Sequence, residues 1–209
     1  MKSPPRIVLL AGHEALFADG AVQSLAPGAD TTTGYWPLLL PERMPRNALL
    51  LGLGGGTVAW LLHERFGPLA ITGIDDDAGV LALVQERGWL DVPGLSVVYA
   101  EARAWLARCV RRGERFDLIV VDLFLDGRVP GWVCTPRFLR RVAACLSENA
   151  TATFNLSRGR GHRSRLRLLA RFFTIERIAA RGMNLVVHVR ARRCRYRPAP
   201  PARRPAFRR

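Results

Sequence analysis

The sequence predicts an α/β fold of Rossmann type, built on a parallel, doubly wound sheet. Three observations carry that expectation. Short apolar runs alternate with helix-length stretches from residue 47 to 190, the pattern of consecutive β–α–β units. The first run passes directly into Gly52-Leu53-Gly54-Gly55-Gly56-Thr57 and then an apolar helix, an order that lets a ligand approach the backbone and meet a helix N-terminus. The second run ends in Asp75-Asp76-Asp77, and Asp75 follows Gly56 at close to the ~20 residues expected of an acid that binds ribose hydroxyls.

Three regions separate along the chain. Residues 1–46 read as a small β extension: 7–10 and 15–18 are strand-like, and Asp19-Gly20 is a strong hairpin signal before 21–25. A segment rich in Pro, Gly and Thr follows at 27–34. Residues 47–190 form the Rossmann-like domain. Its strands are expected at 48–52, 70–74, 96–99, 116–122, 150–156, 172–178 and 185–189. Helices are expected near 56–66, 78–88, 101–112, 136–147 and 162–171. The unbroken apolar character of Leu118-Ile119-Val120-Val121 fits a strand buried on both faces. Residues 191–209 form a basic tail.

Composition narrows the class. Nearly half of the residues are apolar, 49%, so a packed globule is expected. The longest apolar run, 48–62, is interrupted by four glycines and falls short of the ~20 residues that span a bilayer. The run at 7–11 is too short for a signal-peptide core. A soluble, cytoplasmic protein is therefore expected. Cys109, Cys134, Cys145 and Cys194 include no Cys-x-x-Cys pair, and the four histidines, His13, His63, His162 and His188, lack metal-ligand spacing; no metal site is expected. The net charge of +15 is concentrated: residues 190–209 hold nine arginines and no acid, and residues 158–171 hold six arginines and no acid. The tail has the chemistry to contact nucleic acid, an anionic membrane or an acidic partner. With only Tyr196 and Phe207 as aromatics it lacks a stacking platform, and a solvated tail is preferred.

The candidate site follows from the strand ends, because ligands of open α/β sheets sit at the carboxyl ends of the strands. Asp75 suits the ribose, whereas Asp77, directly before the next helix, suits its N-cap. Glu101 ends the third strand, where a polar side chain can meet an adenine edge; its alternative is a helix-start acid favoured by the dipole. The fourth strand ends at Asp122, and Asp126 follows in the next loop. Two carboxylates there would hold a cationic amine or act as general base; an ordinary Asp-Gly turn is the competing account of Asp126-Gly127. Trp132, in the same loop, would wall an acceptor pocket, and Asn155, at the end of the fifth strand, would face it or make a structural hydrogen bond. Trp60, Trp89 and Trp105 are expected in the core.

These residues resemble the spermidine and spermine synthases. The resemblance is carried by Ala48-Leu-Leu-Leu-Gly-Leu-Gly-Gly-Gly-Thr57, Gly73-Ile-Asp-Asp-Asp77, Glu101-Ala102 and Phe116-Asp-Leu-Ile-Val-Val-Asp122, and by the N-terminal Leu16-Phe-Ala-Asp-Gly-Ala-Val-Gln-Ser24, Tyr35, Pro130 and Thr135-Pro136-Arg137-Phe138. It covers roughly residues 14–156. It implies a class I methyltransferase-like fold with a mostly parallel seven-stranded sheet and a short N-terminal β extension, often dimeric. It further implies that Gln23, Gly52, Gly54, Gly55, Gly56, Asp75, Glu101 and Ala102 bind an adenosyl ligand. Asp122 resembles the aspartate that helps deprotonate the attacking amine, and Tyr35 the tyrosine that opens the family's next helix; by their own places in the chain, Asp126 is expected as a second anchor and Trp36, Trp132 and Asn155, with Tyr35, around the acceptor. The ligand implied is S-adenosylmethionine or its decarboxylated form, and the acceptor a small-molecule amine.

Three departures lie on the amine side. The family carries an aspartate within the glycine loop that pairs with the ammonium of decarboxylated S-adenosylmethionine; its place here is Gly54. The polar pair after the tyrosine is Trp36-Pro37. Asp122 and Asp126 are spaced by four, not three. Aminopropyl transfer is the leading expectation. Methyl transfer on the same scaffold is the alternative, favoured by Gly54, since no loop acid is there to repel the carboxylate of S-adenosylmethionine. A non-catalytic nucleotide- or nucleic-acid-binding protein stands third.

Overall fold

A computed structural model describes residues 4–125 and 127–192; Asp126, Cys194 and the tail from 193 onward lie outside the described residues. The N-terminal sheet is antiparallel, in the order β1 (Arg6–Leu10), β2 (His13–Ala18), β3 (Ala21–Leu25). Asp19 and Gly20 close the second hairpin with φ of 53° and 78°, positive at both central positions, which is the turn geometry Asp-Gly favours. A 3-10 turn, Trp36–Leu39, then leads into the central sheet.

That sheet is built from β4 (Asn47–Leu51), β5 (Ala70–Asp75), β6 (Leu95–Tyr99), β7 (Phe116–Val121), β8 (Leu146–Ser157), β9 (Phe173–Arg181) and β10 (Asn184–Ala191). Its spatial order is β6-β5-β4-β7-β8-β10-β9. The strands β4 to β8 run parallel, and β10 is antiparallel to both neighbours. The helices are α1 (Thr57–Phe66), α2 (Ala78–Gln85), α3 (Ala102–Arg112), α4 (Pro136–Cys145) and α5 (His162–Phe172). No helix among the described residues is long and apolar enough to cross a membrane.

Elements fall where the apolar periodicity places them, and the ends shift for local reasons. Asp77 accepts the Val80 N–H at 3.0 Å and starts α2, as expected of an N-cap. Strand β8 begins at Leu146, earlier than 150, because Leu146 pairs with Phe116 before the register jumps to Leu118–Thr151. The polar residues of that bulge, among them Asn149 at a φ of 61°, carry no strand periodicity to read.

The sheet is buried on both faces. Against one face pack Leu106 and Cys109 of α3, Phe138, Leu139 and Val142 of α4, and Leu169 of α5. Against the other pack Ala59 and Leu62 of α1 and Val80 and Val84 of α2, joined by Leu16, Leu25, Trp36 and Leu39 from the N-terminal region. The extension therefore shares its core with the first two helices.

A polar seam fixes it there. The Thr57 hydroxyl accepts the Leu25 N–H at 2.9 Å and donates to the Leu25 carbonyl at 3.0 Å. One residue earlier on β3, Ser24 Oγ accepts the Gly55 N–H at 2.7 Å and donates to the Gln23 carbonyl at 2.8 Å. Ser24 and Thr57 are both buried, so these groups have no access to water as an alternative partner.

Thr57→Val keeps the shape but strands two buried backbone groups of Leu25. It is expected to cost about 2–4 kcal/mol, read as a lower urea midpoint. Thr57→Ser, which retains the hydroxyl, is expected to recover most of the loss; a Val variant as stable as the parent would show that the seam contributes nothing.

Candidate functional site

The strand order reverses between β4 and β7, and a cleft of about 230 Å³ opens at their carboxyl ends, the place where α/β sheets hold ligands. The end of β4 forms its floor. Gly52 has a φ of +88°, and a Cβ there would lie 2.1 Å from the Asp122 carbonyl oxygen, so only glycine lets the two strand ends pass. Gly54, at a φ of +53°, lies under Ser24, whose Oγ would stand 2.9 Å from an added Cβ.

The loop's N–H groups are engaged within the protein. Gly54 N–H donates to Asp75 Oδ2 at 2.7 Å, Gly55 N–H to Ser24, and Gly56 N–H to the Leu53 carbonyl. Gly52 and Gly54 line the cleft, whereas Gly55 and Gly56 lie beneath it and shape the loop. Asp75 ends β5, and its other oxygen accepts the Asp77 N–H at 3.1 Å. Burial pushes its carboxyl above the ordinary range, against the pull of these two N–H donors. Asp75 lines the cleft together with Asp76 and Asp77.

Glu101 takes the helix-start role and also stands at the cleft. It caps α3 by accepting the Ala104 N–H at 3.0 Å, and it lines the cleft together with Ala102. Burial acts to raise its pKa, but the Arg103 guanidinium at 2.7 Å and the backbone donors outweigh it and leave it lowered. The Arg103 guanidinium also stacks 4.7 Å above the Trp132 ring. Trp132, on the 3-10 turn Gly131–Cys134, forms the neighbouring wall.

Asp122 stands one residue beyond β7, its N–H continuing the ladder to the Leu51 carbonyl at 2.9 Å. Its two oxygens are clasped from opposite sides: Tyr35 Oη donates to Oδ2 at 3.0 Å, and Asn155 Nδ2 donates to Oδ1 at 2.9 Å. Burial pushes the carboxyl up to about 6, although both hydrogen bonds favour the ionised form. Burial and the Asp122 charge together raise Tyr35 well above its usual range, so the phenol stays a donor. Tyr35 and Trp36 stack at 4.8 Å and line the cleft, as does Gln23. Asn155 sits behind Asp122, bridging to Asn184 Oδ1 at 3.0 Å, and orients the carboxylate instead of lining the cleft. Asp126 lies outside the described residues.

Two contributors were not singled out in the sequence. Ser24 binds the glycine loop, and Asp19, at the hairpin tip, lines the cleft. The Asp-Gly signal identified the turn, but nothing local showed that the turn would reach the ends of β4 and β7.

No protein-family model matches the chain. A probable polyamine aminopropyl transferase of Bifidobacterium longum is 30% identical over 112 residues, 53% of this chain and 24% of that protein. The eEF1A lysine and N-terminal methyltransferase of Homo sapiens is 27% identical over 130 residues, 57% of this chain and 18% of that protein. The chain spans less than half the length of the curated relatives it matches. Among solved structures, a probable spermidine synthase from Corynebacterium glutamicum superposes with a TM-score of 0.69 at 17% identity, covering 88% of this chain and 76% of that one. Human methyltransferase-like protein 13 in complex with SAH superposes with a TM-score of 0.62 at 23% identity, covering 77% and 78%. The chain thus has the Rossmann-like class I methyltransferase fold, with an added three-stranded N-terminal sheet.

The raised pKa of Asp122 has a consequence for stability. Unfolded, it ionises near 3.8; folded, near 6. Between those values the folded state holds the proton that the unfolded state has lost, so this group's contribution is full below about pH 4 and is lost as pH rises through 6. Asp122→Asn removes the penalty while retaining a carbonyl to accept from Asn155. Thermal melts are expected to show the variant about 1–3 kcal/mol more stable than the parent at pH 8, with the gap closing by pH 4. A gap that persists at pH 4 would assign it to something other than ionisation.

Proposed function

We propose that the protein transfers an alkyl group from an adenosyl sulfonium to an amine nitrogen. The observation that carries this is the charge of the cleft. The chain holds 32 basic and 17 acidic residues. Yet the cleft is lined by Asp19, Asp75, Asp76, Asp77, Glu101 and Asp122 and, among the described residues, by a single base, Arg103, already paired with Glu101. Low-dielectric walls focus that field, and the ligands it concentrates are cations: a sulfonium and a protonated amine.

The residues fit such a donor. Gly52 and Gly54 keep the floor free of side chains, and Asp75 and Glu101 present acceptors on one wall for a nucleoside's hydroxyl and amino groups. At the other end, Asp122, oriented by Tyr35 and Asn155, binds the acceptor ammonium and takes its proton as the nitrogen attacks. The donor supplies the chemistry: a carbon–nitrogen bond forms, the carbon–sulfur bond breaks, and the electron pair leaves on a neutral thioether. The chain contributes orientation and exclusion of water.

The finer proposal is aminopropyl transfer from decarboxylated S-adenosylmethionine. With Arg103 engaged, the described lining leaves no cation for the carboxylate of S-adenosylmethionine. The resemblance to polyamine aminopropyltransferases points the same way. A second possibility, methyl transfer, is favoured by one observation: the glycine loop carries no acid, and Ser24 occupies the space beside Gly54.

Calorimetric titration decides between them. The decarboxylated form is expected to bind more tightly than S-adenosylmethionine, and Asp75→Ala to weaken both by ~1.5–3 kcal/mol. Tighter binding of S-adenosylmethionine would replace aminopropyl by methyl transfer; binding of neither would remove the adenosyl proposal altogether.

Turnover is expected to rise with pH through an apparent pKa near 6, the value to which burial pushes Asp122. Asp122→Asn is expected to lower the rate ~10²-fold or more with adenosyl affinity nearly intact. Full turnover in that variant would take Asp122 out of the chemistry.

A further inference from the structure

The helices α3, α4 and α5 form one layer on the face of the sheet opposite the N-terminal extension. Their sequences contain eleven arginines and not one acid: Arg103, Arg108, Arg111 and Arg112 on α3, Arg137, Arg140 and Arg141 on α4, and Arg163, Arg165, Arg167 and Arg171 on α5. The helices of the other layer, α1 and α2, hold one arginine and one glutamate between them. The acids that flank the basic layer, Glu101 and Glu114, pair with Arg103 and Arg112 at the two ends of α3. The charge is therefore sorted by face, beyond what a uniformly basic chain would show.

Its geometry is regular. Arg163, Arg167 and Arg171 are exposed and recur every fourth residue along α5, a row with steps of about 6 Å. Arg137 and Arg140 are exposed on α4, and packed helices lie ~8–10 Å apart. Helices α4 and α5 are in contact, so the two rows are neighbours, and a duplex backbone offers them a phosphate every ~1.7 Å of its axis.

The surroundings select among anionic partners. The aromatic rings of this layer are covered by arginine: Arg108 lies 3.6 Å from the Trp105 ring centroid and Arg140 lies 5.7 Å from that of Phe172. They offer no open platform for stacking single-stranded bases. The large hydrophobic residues exposed among the described residues all lie elsewhere, on β1, β6, β9 and the loops, such as Leu9, Val97 and Met183. An apolar centre of the sort that protein–protein interfaces use is therefore missing from this layer. Arginine rows without aromatic or apolar relief suit phosphate contact without base readout.

We propose that the α3–α4–α5 face docks a nucleic-acid duplex through its phosphate backbone. Arg103, at the start of α3, lines the acidic cleft, whereas the rows on α4 and α5 that the proposal rests on do not, and the proposal stands whether the cleft transfers an aminopropyl group, a methyl group or neither.

The test is fluorescence anisotropy of the full chain with a duplex of about two helical turns, titrated between about 50 and 200 mM salt. Affinity is expected to fall steeply with salt. Neutralising one row, in the triple variant Arg163→Gln, Arg167→Gln, Arg171→Gln, is expected to weaken binding at least ~10-fold at low salt and to flatten the log–log salt slope by about 3. The matching lysine triple should restore the slope. Arg137→Gln with Arg140→Gln gives an independent row, and a retained urea midpoint and adenosyl affinity report that each variant is folded. An unchanged slope in both glutamine variants would overturn the proposal, because binding would then reside in the arginines beyond residue 192 or elsewhere. A single strand of the same sequence binding as tightly, or polyglutamate competing as well as duplex, would overturn it in favour of a strand-binding or acidic-protein surface.

Discussion

The Thr57 hydroxyl, held between the N–H and C=O of Leu25, is the contact on which the rest of the site depends. Thr57 is the first residue of α1 and Leu25 the last of β3, so one side chain joins the helix that ends the glycine loop to the strand that ends the N-terminal sheet. With that pair made, Ser24 falls over Gly55 and Gln23 over the cleft, and the Asp19-Gly20 turn is carried to the rim. The extension then supplies a wall of the cleft, and its apolar side chains Leu16 and Leu25 enter the core of α1 and α2. A hydrogen-bonded seam suits this task because it sets register as well as adding stability: the buried donors and acceptors have no equivalent partners one residue away.

A second constraint is the placement of charge. The protein is strongly basic, but it gathers six of its seventeen acids around one cleft and sets eleven arginines on the three helices of one sheet face, of which Arg103 reaches the cleft. Each arrangement raises local potential at some cost in self-repulsion. At Asp122 a different cost is visible, that of desolvation: burial lifts its pKa to about 6, so the carboxylate most suited to accept a proton is also one that destabilises the fold when ionised. Tyr35 and Asn155 offset part of that penalty while aiming the group. Their positions show how a strained ionisation can be maintained: one arrives from the turn before Trp36–Leu39, the other from the adjacent strand β8.

Much of this was legible in the sequence. Near-neighbour periodicity located every strand and helix of the central sheet, and the strand–glycine–helix order placed the cleft floor at Gly52 and Gly54. Acids that close a strand, Asp75, Glu101 and Asp122, had to lie at the carboxyl edge because parallel strands share one. The N-cap role of Asp77 followed from its position beside Ala78. Elsewhere the same local signals fell short. Asn155 had two readings, facing the acceptor pocket or making a structural hydrogen bond, and only packing chose the second; Gly55 and Gly56 were counted with the ligand contacts, whereas Gly52 and Gly54 are the loop glycines that line the cleft. Alternation along a strand tells which face a side chain takes, but not what occupies that face.

The sequence by itself therefore determined the α/β class, the order of elements, the glycine loop and the acids at the strand ends, because each is encoded by residues within a turn or a strand of one another. Only the tertiary structure decided which side chains meet: Ser24 with Gly55 across 31 residues, Asn155 with Asp122 across 33, Tyr35 with Asp122 across 87. It also decided that arginines from three separate helices share one surface. Contacts between distant residues depend on how layers pack and in what register, and that is set by the whole core at once rather than by any local pattern.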